Sequence, residues 1–221
     1  MRGGQRVEFT NLQKTAYHEA GHVIAYFKNN HPFRYVCMRQ GDDGMGPLYD
    51  PYAGTEIGKK LKGQDDNVLG CVQGIERLWR CDVRWFQPEL DIKLAGPCAS
   101  WHMMPDKYFS QMINEEGGGS DWKQALQTAE SVLESSYQLK KFRKAAELEG
   151  YTFISALSDQ PRFVFLHVRR VRQLVKDEWH NIVTLGDALI AAPQRKLDYH
   201  QCRNVLGITS RLPHDAPWTD V

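Results

Sequence analysis

His18-Glu19-Ala20-Gly21-His22 combines residue types and a spacing that metal-assisted hydrolysis can use. On a helix, residues four apart share one face, one turn above the other. Two imidazoles placed that way can reach a single ion, and neutral imidazole nitrogen binds zinc at roughly 2.0–2.1 Å. Glu19 follows the first histidine and so falls beside the metal, not on it. A carboxylate there can take a proton from an attacking water and pass it to a leaving amine. The bland alternative is two solvated or hydrogen-bonded histidines on a helix surface.

This chemistry needs a helix, and the flanking residues predict one. Thr10 followed three residues later by Gln13 has the form of a capping box. Leu12, Ala16, Ala20, Val23, Ile24 and Phe27 recur at helical spacing and make an apolar stripe, with His18 and His22 off it. Gly21 costs about 1 kcal/mol relative to alanine inside a helix. Either it is simply a tolerated glycine, or its missing side chain lets another segment come close beside the metal. Asn29-Asn30-His31-Pro32 is a stop signal.

Two histidines leave a zinc ion short of protein ligands. A third histidine six residues after His22 would signal a metzincin, but Lys28 stands there. The remaining candidates are carboxylates: Asp121, Glu115, Glu116, Asp91 and Glu89. Asp121 follows Gly117-Gly118-Gly119-Ser120, a loop with Ser120 as a suitable N-cap. It would open a helix marked by Trp122, Ala125, Ala129, Val132, Leu133 and Tyr137, with Gly150 as its stop. An acid in a first turn ordinarily serves the helix dipole, so on this ground the ligand stays open. His102, alone on its helix, reads as a satisfied surface or core residue.

The other elements follow in order. Phe33–Arg39 reads as a strand, Gln40–Gly44 as a turn, and Met45–Tyr49 as a returning strand that Pro47 confines to an edge. Such an edge could hold an extended peptide over the metal. Residues 50–66 read as a loop, Asn67–Trp85 as a helix broken at Gln87-Pro88-Glu89, and Asp91–Met104 as a helix that Pro97 should kink or divide. Asp159-Gln160-Pro161 opens a helix whose stripe runs from Val164 to Ile182, with Arg169, Arg170, Arg172 and Lys176 as a solvated face. Thr184-Leu185-Gly186-Asp187 begins a short helix, and one more helical turn falls near Tyr199 to Leu206.

Composition bounds the rest. At 221 residues the chain fits one domain with at most a small appendage, and its fold class is mainly α with a small β-hairpin or sheet. A formal charge of +1 offers no field for nucleic acid or acidic lipid. No run has the length of a membrane span and the N-terminus has no signal-peptide core, so a soluble, cytoplasmic protein is expected. Five cysteines without close pairing point to buried reduced thiols.

Thr15-Ala16-Tyr17-His18-Glu19-Ala20-Gly21-His22 resembles the zinc motif of FtsH-type metalloproteases. Leu94-Ala95-Gly96 with Ala99 resembles that family's next helix, and Gly118-Gly119-Ser120-Asp121-Trp122-Lys123-Gln124-Ala125 resembles the segment whose aspartate is the third zinc ligand. The resemblance spans roughly residues 9–192. It implies an FtsH-peptidase-like helical domain over residues 1–192, with 56–90 as an insertion and 193–221 as a C-terminal extension. It implies Zn2+ held by His18, His22 and Asp121, with Glu19 as the catalytic base. The expected activity is zinc-dependent cleavage of peptide bonds in flexible or unfolded segments. The expected partners are a protein or peptide substrate, a separate unfoldase and a homo-oligomeric assembly. Two alternatives stand beside it: a catalytically silent zinc-binding regulatory module, and a peptidase dedicated to one repressor with Glu115 or Glu116 as third ligand. Pro97, Ser100 and Trp101 stand where the family has an arginine and two glutamates, and no phosphate-loop motif or membrane anchor is present in the sequence.

Overall fold

The computed structural model describes residues 8–39, 69–74, 86–115, 118–133 and 159–209. Helix α1 (Asn11–Lys28) is the centre of the molecule. Its start is the predicted capping box: the Gln13 N–H donates to Thr10 Oγ1 at 3.2 Å and the Thr10 N–H donates to Gln13 Oε1 at 3.0 Å. From Ala16 to Ala25 every residue is buried, the two histidines included. The face that lies off the apolar stripe is therefore covered by protein, not by solvent.

Strand β1 (Phe33–Arg39) follows as expected, with Phe33, Val36 and Met38 buried. It lies in the middle of a three-stranded antiparallel sheet, between β2 (Leu69–Gly74) and β3 (Lys196–Asp198). Val36 is opposite Val72 on one side and Leu197 on the other. The helix expected over Asn67–Trp85 is thus a strand at residues 69–74. Val68, Val72 and Ile75 fit a helical repeat, but Gly70 and Gly74 weaken any helix, and β1 offers a hydrogen-bonding edge. The strand at Met45–Tyr49, the turn and loop from 40 to 66, the Gly150 stop and Glu116 lie outside the described residues.

Helix α2 (Phe86–Met103) is the second organising element. Gln87-Pro88-Glu89, expected to break a helix, sits in its first turn, where a missing proline N–H removes no helical bond. Pro97 lies within α2 without dividing it. A short helix α3 (Phe109–Glu115) leads to α4 (Gly119–Leu133), which starts one residue before Ser120, so that serine is in the first turn and not at the cap. Helix α5 (Asp159–Asp177) opens where Asp159-Gln160-Pro161 predicts. The chain then breaks at Glu178 and resumes as α6 (Trp179–Ala191), five residues before the expected start at Thr184. No glycine or proline marks that break. Glu178 is held from outside by the Lys28 ammonium at 2.6 Å and from within α6 by the Asn181 amide at 2.7 Å. A 3-10 turn at Pro193–Arg195, β3 and α7 (Tyr199–Val205) complete the described chain.

The fold is mainly helical with a small antiparallel sheet. α1 packs on α2 along one side and on α6 along another, and α2 packs also on α4 and α5. At the α1–α6 contact a Cβ on Gly186 would lie 2.3 Å from the Tyr17 ring, and the Tyr17 hydroxyl donates to Asp187 Oδ1 at 2.8 Å. Cys37, Cys98 and Cys202 are buried free thiols, as expected. Among the described residues no helix is long and apolar enough to cross a membrane.

Candidate metal centre

Two helices bring three side chains together. α1 supplies His18 and His22 from successive turns, and the first turn of α4 supplies Asp121. Asp121 Oδ2 lies 3.1 Å from His18 Nε2 and 3.4 Å from His22 Nε2, and the two Nε2 atoms are 3.2 Å apart. Both histidine side chains are about nine-tenths buried, and Asp121 is 15% exposed. Among the described residues this is the one His/Cys/Asp/Glu group arranged to hold an ion.

α4 is aimed by its small residues. A Cβ on Gly118, just before the helix, would meet the Pro97 ring of α2 at 3.3–3.4 Å, and Ala125 and Ala129 are fully buried further along. That close seat brings the first turn of α4 over the His18 and His22 turns of α1.

The outer nitrogens are also held. His22 Nδ1 lies 2.5 Å from the Ile92 carbonyl oxygen, which can only accept. Nδ1 therefore carries the proton, and in the neutral ring Nε2 presents a lone pair to the cluster. His18 Nδ1 lies 2.9 Å from Ser100 Oγ. A carboxylate oxygen and two imidazole nitrogens thus face one another in a buried space. With both Nε2 lone pairs turned inward, this arrangement is repulsive unless a positive charge lies between them.

The pKa directions report that need for charge. Burial works to lower the His22 pKa, but the charges of Asp121 and Glu19 and the hydrogen bonds to Asp121 and Ile92 raise it overall to about 9. Burial works to raise that of Asp121, but the two histidines hold it well below the usual carboxylate range. A proton fills the role in the metal-free protein. A divalent cation fits it as well: ligands at 2.0–2.1 Å in a tetrahedral set are about 3.3–3.4 Å apart, and the three observed separations are 3.1, 3.2 and 3.4 Å.

Of the other carboxylates considered from sequence, Asp91 pairs with Arg170 and accepts from Asn29 at 3.4 Å, while Glu89 lies 3.6 Å from Lys93. Glu115 ends α3. Glu19 is buried, 6% exposed, and its charge acts on His22. His102 is exposed and stacks against Trp179 at 4.3 Å, away from the cluster's ligand set. What sequence reasoning left unassigned is the contribution of α2: the Ile92 carbonyl, Gly96 and Ser100. For Gly96 and Ser100 the available signal was their spacing of four, which matches the spacing of the two histidines; the Ile92 carbonyl had none.

The sequence matches no family model, and no curated protein matches it.

Proposed function

We propose that this chain is a zinc-dependent endopeptidase with an FtsH-peptidase-like architecture. The observation that carries the reading is the mutual 3.1–3.4 Å spacing of His18 Nε2, His22 Nε2 and Asp121 Oδ2, three potential ligand atoms from two helices. The order of the parts supports the resemblance: His-Glu-x-x-His on a helix, then an aspartate in the first turn of a later one.

His18, His22 and Asp121 are the zinc ligands. A zinc ion bound there supplies a Lewis acid for the scissile carbonyl and brings a water's pKa toward neutrality. Glu19 follows the first ligand on the same helix. It accepts the proton of the attacking water and returns it to the departing amine. Burial of Glu19 keeps its carboxylate poorly hydrated, which favours that exchange. The substrates of this reading are flexible or already unfolded segments, met directly or delivered by an unfoldase.

Purified protein is assayed for zinc content and for cleavage of unfolded casein, with and without chelator. Glu19→Gln is expected to keep about one zinc per chain and to lose cleavage by at least about 100-fold. A zinc-loaded parent that cuts nothing, or cleavage that survives Glu19→Gln, overturns the peptidase reading.

A further inference from the structure

Ile92, Gly96 and Ser100 recur every fourth residue on α2 and share one of its faces. That face runs antiparallel past α1. His22 Nδ1 meets the Ile92 carbonyl oxygen at 2.5 Å, and one turn back His18 Nδ1 meets Ser100 Oγ at 2.9 Å. The helices come close enough because Gly21 lies between the two histidines. A Cβ there would stand 2.8 Å from the Ala95 carbonyl oxygen and 3.0 Å from Ala99 Cβ.

Gly96 is the middle rung. A Cβ on it would stand 2.3 Å from His22 Nε2 and 2.5 Å from His18 Nε2. Those distances come near the roughly 2.0–2.1 Å at which zinc binds imidazole nitrogen. A methyl group at position 96 would therefore compete with an ion for the same space. The rings cannot simply swing aside, because each is held at Nδ1 from the same helix.

We propose that this face of α2 is the outer frame of the metal centre, with Ser100 as the positioning residue for His18 and Gly96 as the residue whose missing side chain leaves the ligand nitrogens clear. The proposal rests on the reading of His18, His22 and Asp121 as zinc ligands. Ser100 Oγ accepts the His18 Nδ1 proton, which leaves the Nε2 lone pair for the metal, as the Ile92 carbonyl does for His22. Glycine at 96 is then required by chemistry, not by backbone conformation.

Zinc Kd is measured by competition with a chromophoric chelator on the full chain, and Co2+ is substituted to read ligand geometry from its visible absorption. Circular dichroism reports folding. Gly96→Ala is expected to weaken zinc binding by at least about 100-fold, and Ser100→Ala by about 10–100-fold with an altered Co2+ spectrum. A purely structural role for Ser100 would lower stability and leave the Co2+ spectrum of the folded protein as it is. If Gly96→Ala does not fold, Ser100→Ala alone decides. A parent that binds no zinc, or an Asp121→Ala variant that binds it equally well, overturns the ligand reading. Tight binding by the parent with an unchanged Kd in either frame variant overturns the role given to that residue.

Discussion

Helix α2 carries a buried polar contact at each end of one stretch, and the two differ in how their charges are met. Near its start, Asp91 is 7% exposed, yet the Arg170 guanidinium and the Asn29 amide both donate to it. Burial raises its pKa, and Arg170 and Asn29 work against that rise. One negative group meets one positive group, and the pair is complete within the chain. Further along, α2 borders His18, His22 and Asp121, where one carboxylate faces two imidazole nitrogens. Neutral imidazoles leave that carboxylate's charge uncancelled, and a proton or a metal ion taken up from outside cancels it. Burial of polar groups alone does not mark a site; buried groups whose charges fail to cancel do.

The comparison breaks most sharply at Asp121. Asp121→Ala removes the single carboxylate among the described ligands and is expected to weaken zinc binding by more than about 100-fold; isothermal titration with zinc reads this directly. Retained stoichiometric zinc in Asp121→Ala, with loss in Glu116→Ala, would move the third ligand. Asp91→Ala should do the reverse. It is expected to cost about 1–2 kcal/mol in urea denaturation, at the modest end because Arg170 is 39% exposed, and to leave the zinc Kd in place. If zinc binding fell together with stability there, the two clusters would not be independent.

A subtler separation is by pH. The folded metal-free protein holds the His22 proton up to about pH 9, against about 6.5 in the unfolded chain. A raised value means stability that is full below pH 6.5 and lost as pH rises from there to 9. His167 acts with opposite sign, since burial and the nearby Arg170 push it down to about 4. It lowers stability as pH falls below 6.5. Zinc-free protein should therefore be most stable near pH 6.5. Zinc-loaded protein should show no decline between 6.5 and 9, because the metal displaces the proton and binds better as pH rises. Urea midpoints at the two pH values, with zinc and with chelator, test this; parallel declines would remove the metal from the account. The smallest effect belongs to Lys28→Ala. On the lysine side its ion pair with Glu178 is half exposed, so it should contribute at most about 1 kcal/mol of stability, read as a fall of no more than about 4 °C in the thermal midpoint.

Much of α1 was legible in the sequence, because its cap, its apolar repeat and its paired histidines are local patterns. From the residues alone Asp121 was one acid among five, and only the resemblance of its segment singled it out, since its distance from the histidines is set by how α4 sits on Pro97 and by the burial of Ala125 and Ala129. β2 was misread because Val68, Val72 and Ile75 satisfy a helical repeat, and the strand is decided by β1, a distant partner. The break at Glu178, where Lys28 of α1 meets the chain, likewise has no glycine or proline to mark it in the sequence. The Ile92 carbonyl could not have been read from any side chain, because backbone groups have no letter of their own.

The Tyr17–Asp187 hydrogen bond joins residues 170 positions apart, and Phe27, Phe33 and Tyr199 meet with ring centroids 5.3–5.4 Å from one another. The helix that bears the histidines is thus clasped by residues far along the chain, Asp187 and Tyr199. Joining partners so remote is slow, since a long loop must close before any contact rewards it. A nascent chain ending before residue 187 would carry every ligand of the centre and still lack the clasp that seats α1, so the site should mature only after Asp187 and Tyr199 have been made.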